Sequence, residues 1–418
     1  MRLVVVGAGM AGVQTAVSLR EQGYDGELAL LGAEAHLPYD RPPLSKDLLL
    51  GRVENSRFEV DYGGLGIDLL LDRTATGLDP DGRVLRTDAG ELGYDRLVLA
   101  TGARAVALPG QSAAAHLLRT HDDAVALRAV LRPGARLVVV GAGWIGAEAA
   151  TAARTLGCRV TVVEAAPVPL AGALPAEVGE LTRRWYEEAG IELRTSSAVG
   201  GIVDAEPRLE GLGGSAVLLT DGTELDADAV VVGIGARPDT GWLDGSGIAL
   251  DDRGAIAADA GLRTSAEGVY AVGDCASFPS ARYRTRLAVQ HWDNALHGAK
   301  VAAANALNGL RDGTAGDGTA GELLAFDPVP YFWSEQFGRM VQYAGHHRPG
   351  DELLWRGDPE RDAGWGALWL RDGVPVALLA VDRPRDLAQG RRLIERGTPL
   401  DPVRAADPAV PLKAAVGG

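Results

Sequence analysis

The chain has 418 residues, 46% hydrophobic and 23% charged, which excludes intrinsic disorder and, at roughly 100–200 residues per domain, allows two to four domains. A formal charge of −15 argues against a general nucleic-acid binder, since phosphate binding needs positive fields. The two cysteines, Cys158 and Cys275, exclude a disulfide framework and any metal or iron–sulfur site needing three or four thiolates.

Met1 leads straight into an apolar strand, Leu3 to Val6, with no signal-peptide cleavage pattern. No apolar run approaches the roughly 18–20 residues of a membrane span, so a cytoplasmic location is expected. The strand runs into Gly7-Ala8-Gly9-Met10-Ala11-Gly12 and a predicted helix through about Gln22. This is a G-x-G-x-x-G fingerprint in its required context. Gly7 permits the tight turn, Gly9 lets the backbone approach a pyrophosphate, and Gly12 lets helix and strand pack closely. The helix N-terminus then offers its N–H groups to the phosphates. The next strand, Leu28 to Leu31, ends at Gly32-Ala33, where the acid for a ribose should stand, and Glu34 is the nearest carboxylate.

Further along, Leu97 to Ala100 is a strand closing on the small turn Thr101-Gly102. The fingerprint then repeats 134 residues after its first occurrence, as Gly141-Ala142-Gly143-Trp144-Ile145-Gly146 behind the strand Arg136–Val140. Glu164 follows Gly146 by eighteen residues, at the end of Arg159–Val163, the place for an acid that binds an adenosine ribose. Gly233-Ile234-Gly235-Ala236-Arg237-Pro238 marks a return crossing, and the strand ending at Val272 closes on Gly273-Asp274. A Gly-Asp at a strand end admits a ligand and offers a carboxylate to a polyol such as the ribityl chain of FAD. The implied fold is α/β: a glutathione-reductase-like flavoprotein with two dinucleotide-binding domains. The expected division is an FAD domain from 1–112 and 234–325 and an NADH domain from 113–233.

The loop Leu37-Pro38-Tyr39-Asp40-Arg41-Pro42-Pro43-Leu44-Ser45-Lys46, followed by Gly51, is the most specific segment. With it the chain resembles, along its full length, the FAD-dependent, NADH-using ferredoxin reductases of bacterial oxygenase systems, the putidaredoxin, rubredoxin and biphenyl-dioxygenase reductase group. The resemblance implies that Arg41 and Lys46 lie against the flavin and its phosphates, with Arg128 near FAD. It places Glu148 close to the nicotinamide carboxamide. In Gln290-His291-Trp292-Asp293-Asn294-Ala295 it brings Trp292 to the flavin ring, while Gln290 departs from the usual Glu. Ala11, Ala75, Ile145 and Gly235 complete the candidate cofactor-binding positions. The resemblance also implies a C-terminal α+β interface domain from 326–418, whose opening Pro330 to Gln336, with Trp333, matches, and whose end Arg391 to Lys413 matches. The Gly-Asp-rich stretch Leu310 to Glu322 is expected to be a flexible surface insertion.

The resemblance implies hydride transfer from NADH to flavin N5, then single-electron transfer to an external ferredoxin-type carrier, with no acid–base catalytic residue. The chain's own two cysteines cannot hold a cluster. A disulfide or peroxide reductase, or an NADH oxidase, would need a reactive Cys near the flavin, and the 37–46 loop has none. A non-enzymatic scaffold like apoptosis-inducing factor would bring targeting and basic nucleic-acid-binding segments. For docking an acidic ferredoxin the expectation is a basic patch at Arg282, Arg284 and Arg286, alternate residues sharing one face of an extended segment, with Arg339 joining it.

Overall fold

Runs such as Leu3–Val6 and Leu137–Val140 are apolar at every position, as parallel strands covered on both faces require. The computed structural model describes residues 1–112, 114–205, 214–312 and 323–417. They divide into two units: Met1–Asp40, Arg57–Arg104 and Arg237–Tyr331 in the first, and Arg41–Ser56, Ala105–Ala236 and Phe332–Gly418 in the second.

In the first unit, β1 (Arg2–Val6) enters α1 (Met10–Glu21), followed by β2 (Glu27–Leu31), β3 (Ile67–Leu70) and β4 (Arg96–Leu99). With the returning strand Val269–Ala271 they form a five-stranded parallel sheet, ordered Val269–Ala271, β4, β1, β2, β3. An antiparallel meander of Ala75–Asp79, Val84–Thr87 and Gly90–Gly93 covers one face. Its Leu78, Leu85 and Leu92 pack with Val4, Val6, Leu97 and Leu99 of the sheet. The long helix Trp292–Asp312 packs along α1. Helix therefore takes the first three residues of the expected insertion, and 313–322 lie outside the described residues.

The second unit repeats this plan. β5 (Arg136–Val140) enters α2 (Trp144–Thr155), then come β6 (Arg159–Val163), β7 (Glu192–Arg194) and β8 (Ala229–Val232). The parallel order is β7, β6, β5, β8 and Ala115–His116. A second meander, Val199–Ala205, Gly214–Leu219 and Glu224–Ala227, packs Ile202, Val217 and Leu219 on Val138, Val140 and Val230.

The same unit carries a second sheet, of β9 (Tyr331–Gln336), β10 (Arg339–Gly345), β11 (Glu352–Arg356), β12 (Trp365–Arg371) and β13 (Val374–Val381), ordered β9, β10, β13, β12, β11. α3 (Pro384–Arg396) starts on a proline and stops at Gly397, whose φ of 60° is left-handed. Its stripe Leu387, Gly390, Leu393 and Ile394 is buried, and the helix packs on β13. Under it lies Arg356, 1% exposed, bonded to both carboxylate oxygens of Asp386 and to the carbonyls of Ala405, Asp407 and Val410.

Candidate dinucleotide-binding sites

The two fingerprints fold alike. Gly7 and Gly141 have φ of 107° and 101°, which a side chain would strain. A Cβ on Gly12 would stand 1.7 Å from the Gly7 carbonyl oxygen, and one on Gly146 2.0 Å from that of Gly141. Glycine is thus obligatory where each helix crosses its own turn. The middle glycines differ in kind: Gly9 and Gly143 are the N-caps of α1 and α2, with no side chain capping either helix. Among the described residues, chain neighbours apart, no atom lies within 4 Å of a Cβ built on Gly9, and only the Gly233 carbonyl oxygen, at 3.9 Å, near one on Gly143. Each helix therefore opens its N-terminus at an uncapped glycine with room around it, the arrangement of an anion-binding helix end.

In the first unit, β4 ends at Leu99, and Ala100, whose carbonyl faces Gly7, leads on into Thr101 and Gly102. The Thr101 hydroxyl donates to the Asp239 carbonyl at 2.7 Å, and Gly102 has φ 74°. Gly273, φ 80°, brings the Gly273-Asp274-Cys275 turn against Ala11, so Asp274 stands beside the first fingerprint. The Cys275 thiol donates to the carbonyls of Leu99 and Val272, and burial raises its pKa. Trp292 begins the long helix, and its indole N–H donates to Asp40 Oδ1 at 2.8 Å. Desolvation lowers the preceding His291 to about 4, against the attraction of Asp274 and Asp293, and the ring is neutral at pH 7. Ala75 opens the meander.

The Gly7 and Gly141 amides donate to Leu31 and Val163, which makes Gly32 the counterpart of Glu164. Of the expected pair Gly32-Ala33, Gly32 is therefore the residue that corresponds to Glu164. A Cβ at Gly32 would lie 2.9 Å from that of Ala8, so no longer side chain fits there. Glu34 stands two residues on, where its carboxylate accepts the Tyr39 hydroxyl at 2.5 Å.

In the second unit, Glu164 accepts the amides of Ala142, at 2.7 Å, and Ala166, at 2.8 Å, and so anchors the fingerprint loop. Gly141 faces the Gly233 carbonyl, Ile145 and Ile234 are exposed, and Gly235, φ 114°, accepts the Val106 amide. Glu148, on α2, is 4% exposed, and its Oε2 receives the Lys46 ammonium at 2.7 Å and the Ser45 hydroxyl. Its Oε1 receives the Ser334 hydroxyl at 2.6 Å. Arg41 donates to the Arg119 carbonyl, and the Arg128 guanidinium packs against Gly51, φ 73°. Sequence reasoning did not single out Ser45, Ser334, Tyr39 or Asp40 as site residues. The alternation of Ser334 and Gln336 in a strand opening on aromatics was the available signal for one of them.

The basic segment departs from expectation. Ala281–Arg284 is a turn in which Arg284 has φ 52°, and only Thr285–Leu287 is strand, so the three arginines do not form an alternating extended face. The Arg286 guanidinium donates to the carbonyls of Ala258 and Ser277, at 2.8 and 2.9 Å, which ties it into the fold. Arg339 is paired with Glu188 and lies over the Trp185 ring.

Two nucleotide cradles on one chain, with a Gly-Asp turn beside the first and a ribose-type carboxylate at the second, define a flavin- and pyridine-nucleotide-dependent oxidoreductase. The chain belongs to the pyridine nucleotide-disulphide oxidoreductase family, whose model matches residues 1–299, and a reductase C-terminal model matches residues 331–416. It is 39% identical over 415 residues to the ferredoxin reductase component of chlorobenzene dioxygenase from Cupriavidus sp. (strain PS12), covering 97% of this chain and 95% of that protein. It is 37% identical to the ferredoxin–NAD(+) reductase component of the anthranilate 1,2-dioxygenase system of Burkholderia cepacia, covering 98% of each. The covalent putidaredoxin reductase–putidaredoxin complex matches with a TM-score of 0.89 and 32% identity, over 99% of this chain and 97% of that one.

Proposed function

We propose that this chain takes hydride from NADH and passes the electrons through FAD, singly, to a ferredoxin-type iron–sulfur protein that serves a monooxygenase or dioxygenase. The observation that carries the reading is the repeated cradle at Gly9 and Gly143, in a chain whose full-length relatives are reductase components of such systems. Both thiols are buried with raised pKa values, Cys158 donating to the Arg132 carbonyl, which disfavours disulfide chemistry despite the family's name.

In this reading Gly7, Gly9, Ala11 and Gly12 receive the FAD pyrophosphate, Asp274 accepts a ribityl hydroxyl, and Glu34 serves the adenosine ribose. Ala75, Thr101, Gly102, Arg41, Lys46, Arg128 and Trp292 complete the flavin contacts. Gly141, Gly143, Ile145, Gly146, Glu164 and Gly235 hold NADH, with Glu148 facing the carboxamide. When bound, FAD supplies the conversion between a hydride donor and one-electron acceptors. The chain's residues bind and orient. The division into FAD (1–112, 234–325), NADH (113–233) and C-terminal (326–418) domains, a cytoplasmic location, and docking at Arg282 and Arg284 belong to the same proposal.

The test is NADH-dependent reduction of a panel of ferredoxins from the same genome by the purified, FAD-loaded protein. Rapid reduction of at least one supports the reading. Slow turnover insensitive to every ferredoxin would leave an oxidase or a scaffold.

A further inference from the structure

One face of α2 meets one face of β9. Trp144, Glu148 and Thr151 are four and three residues apart, hence aligned on the helix, and Phe332, Ser334 and Gln336 alternate on the strand. The two sets engage in order. The Trp144 and Phe332 rings meet edge-on at 4.5 Å, Ser334 donates to Glu148, and the Phe337 amide donates to Thr151 Oγ1 at 3.0 Å.

We propose that Ser334 is a positioning residue for the nicotinamide side of the site, fixing through Oε1 the orientation of a Glu148 carboxylate that Ser45 and Lys46 hold only by Oε2. This rests on the reading above that Glu148 faces the nicotinamide carboxamide. The terminal torsion of a glutamate is broad, so a carboxylate anchored at one oxygen can turn. The Gln336 side-chain amide donates to Ser334 Oγ at 3.1 Å, which leaves the single Ser334 proton for Glu148. Ser334 and Gln336 are each 1% exposed, so water does not replace either donor. The C-terminal sheet thus sets the aim of a carboxylate carried by the nucleotide helix.

The test compares NAD+ with its acetylpyridine analogue, which lacks the carboxamide N–H, by titration calorimetry on the oxidised FAD-loaded protein. The wild type should favour NAD+, and Ser334→Ala should shrink that preference about fivefold, chiefly by weakening NAD+. Ser334→Cys, nearly isosteric with a weaker donor, should act in the same direction and serves if the alanine protein does not fold. In a Glu148→Ala background the Ser334 changes should have no further effect on the preference. A preference that survives both Ser334 changes, while Glu148→Ala abolishes it, overturns the positioning role alone. A Ser334 effect that persists without Glu148 also overturns it. If Glu148→Ala leaves the preference intact, the reading of Glu148 fails and the inference with it.

Discussion

Glu164 Oε2 accepts the Ala142 amide at 2.7 Å, so the carboxylate at the end of β6 also holds the second fingerprint in shape. A 2′-phosphate would be repelled by this charge. NADH should therefore give the higher kcat/KM, and Glu164→Ala should narrow the gap to NADPH by about tenfold, the equivalent of ~1.4 kcal/mol. NADH turnover should fall too, because Ala142 and Ala166 lose their acceptor. Equal use of the two donors by the wild type would sink the prediction.

Asp274 should be required for FAD retention. Losing a charged acceptor costs roughly 1.5–3 kcal/mol, so Asp274→Ala should weaken FAD binding by at least tenfold, read from flavin absorbance after gel filtration. Cys275→Ser keeps a donor toward Leu99 and Val272 and should keep turnover. A fully yellow Asp274→Ala protein, or a folded but inactive Cys275→Ser protein, would refute the corresponding half.

Two of the three arginines in the 281–287 segment, Arg284 and Arg286, should behave oppositely. Arg284 is exposed, and Arg284→Glu should slow ferredoxin reduction about threefold and weaken its salt dependence, while NADH–ferricyanide activity persists. Arg286→Glu should instead lower Tm, because two backbone carbonyls lose their donor. If Arg284→Glu depresses both acceptors equally, docking lies elsewhere.

The Arg356–Asp386 pair should dominate the stability of the C-terminal sheet. Arg356→Ala leaves the buried Asp386 carboxylate to Arg383 alone and strips three carbonyls of their donor, for a cost of about 3–5 kcal/mol measured by denaturant melts. Desolvation works to raise the Asp386 pKa, but hydrogen bonds and charge from Arg356 and Arg383 outweigh it and hold the pKa below the usual value. The unfolded chain therefore binds this proton first. The pair's contribution is full above the ordinary aspartate pKa of about 3.9 and fades as pH falls through the lower native one. Melts that run parallel for wild type and Arg356→Ala from pH 6 to pH 3 would contradict this.

The fingerprints were legible because the first and last glycine of each answer a constraint within a few residues of themselves, a positive φ at Gly7 and Gly141 and a helix crossing its own turn at Gly12 and Gly146. The vacant acid position was legible only as the pair Gly32-Ala33, because the contact that singles out Gly32, the Gly7 amide on the Leu31 carbonyl, is a tertiary one that the strand pattern does not show. The arginine segment was misread because alternation describes strands, and Arg284 sits in a left-handed turn. Ser334 was out of reach for a different reason: its partner is 186 residues away, and the alternation of Ser334 with Gln336 marks a strand face without showing what that face meets.

The strand that opens the C-terminal sheet has a parity. Phe332, Ser334 and Gln336 point to α2 only because their count from the strand start is fixed, and removing one residue there would turn Trp333 and Glu335 inward instead. A second carboxylate would then stand opposite Glu148 where a hydroxyl donor stood. This junction should therefore tolerate changes of side chain far better than a change of one in residue count.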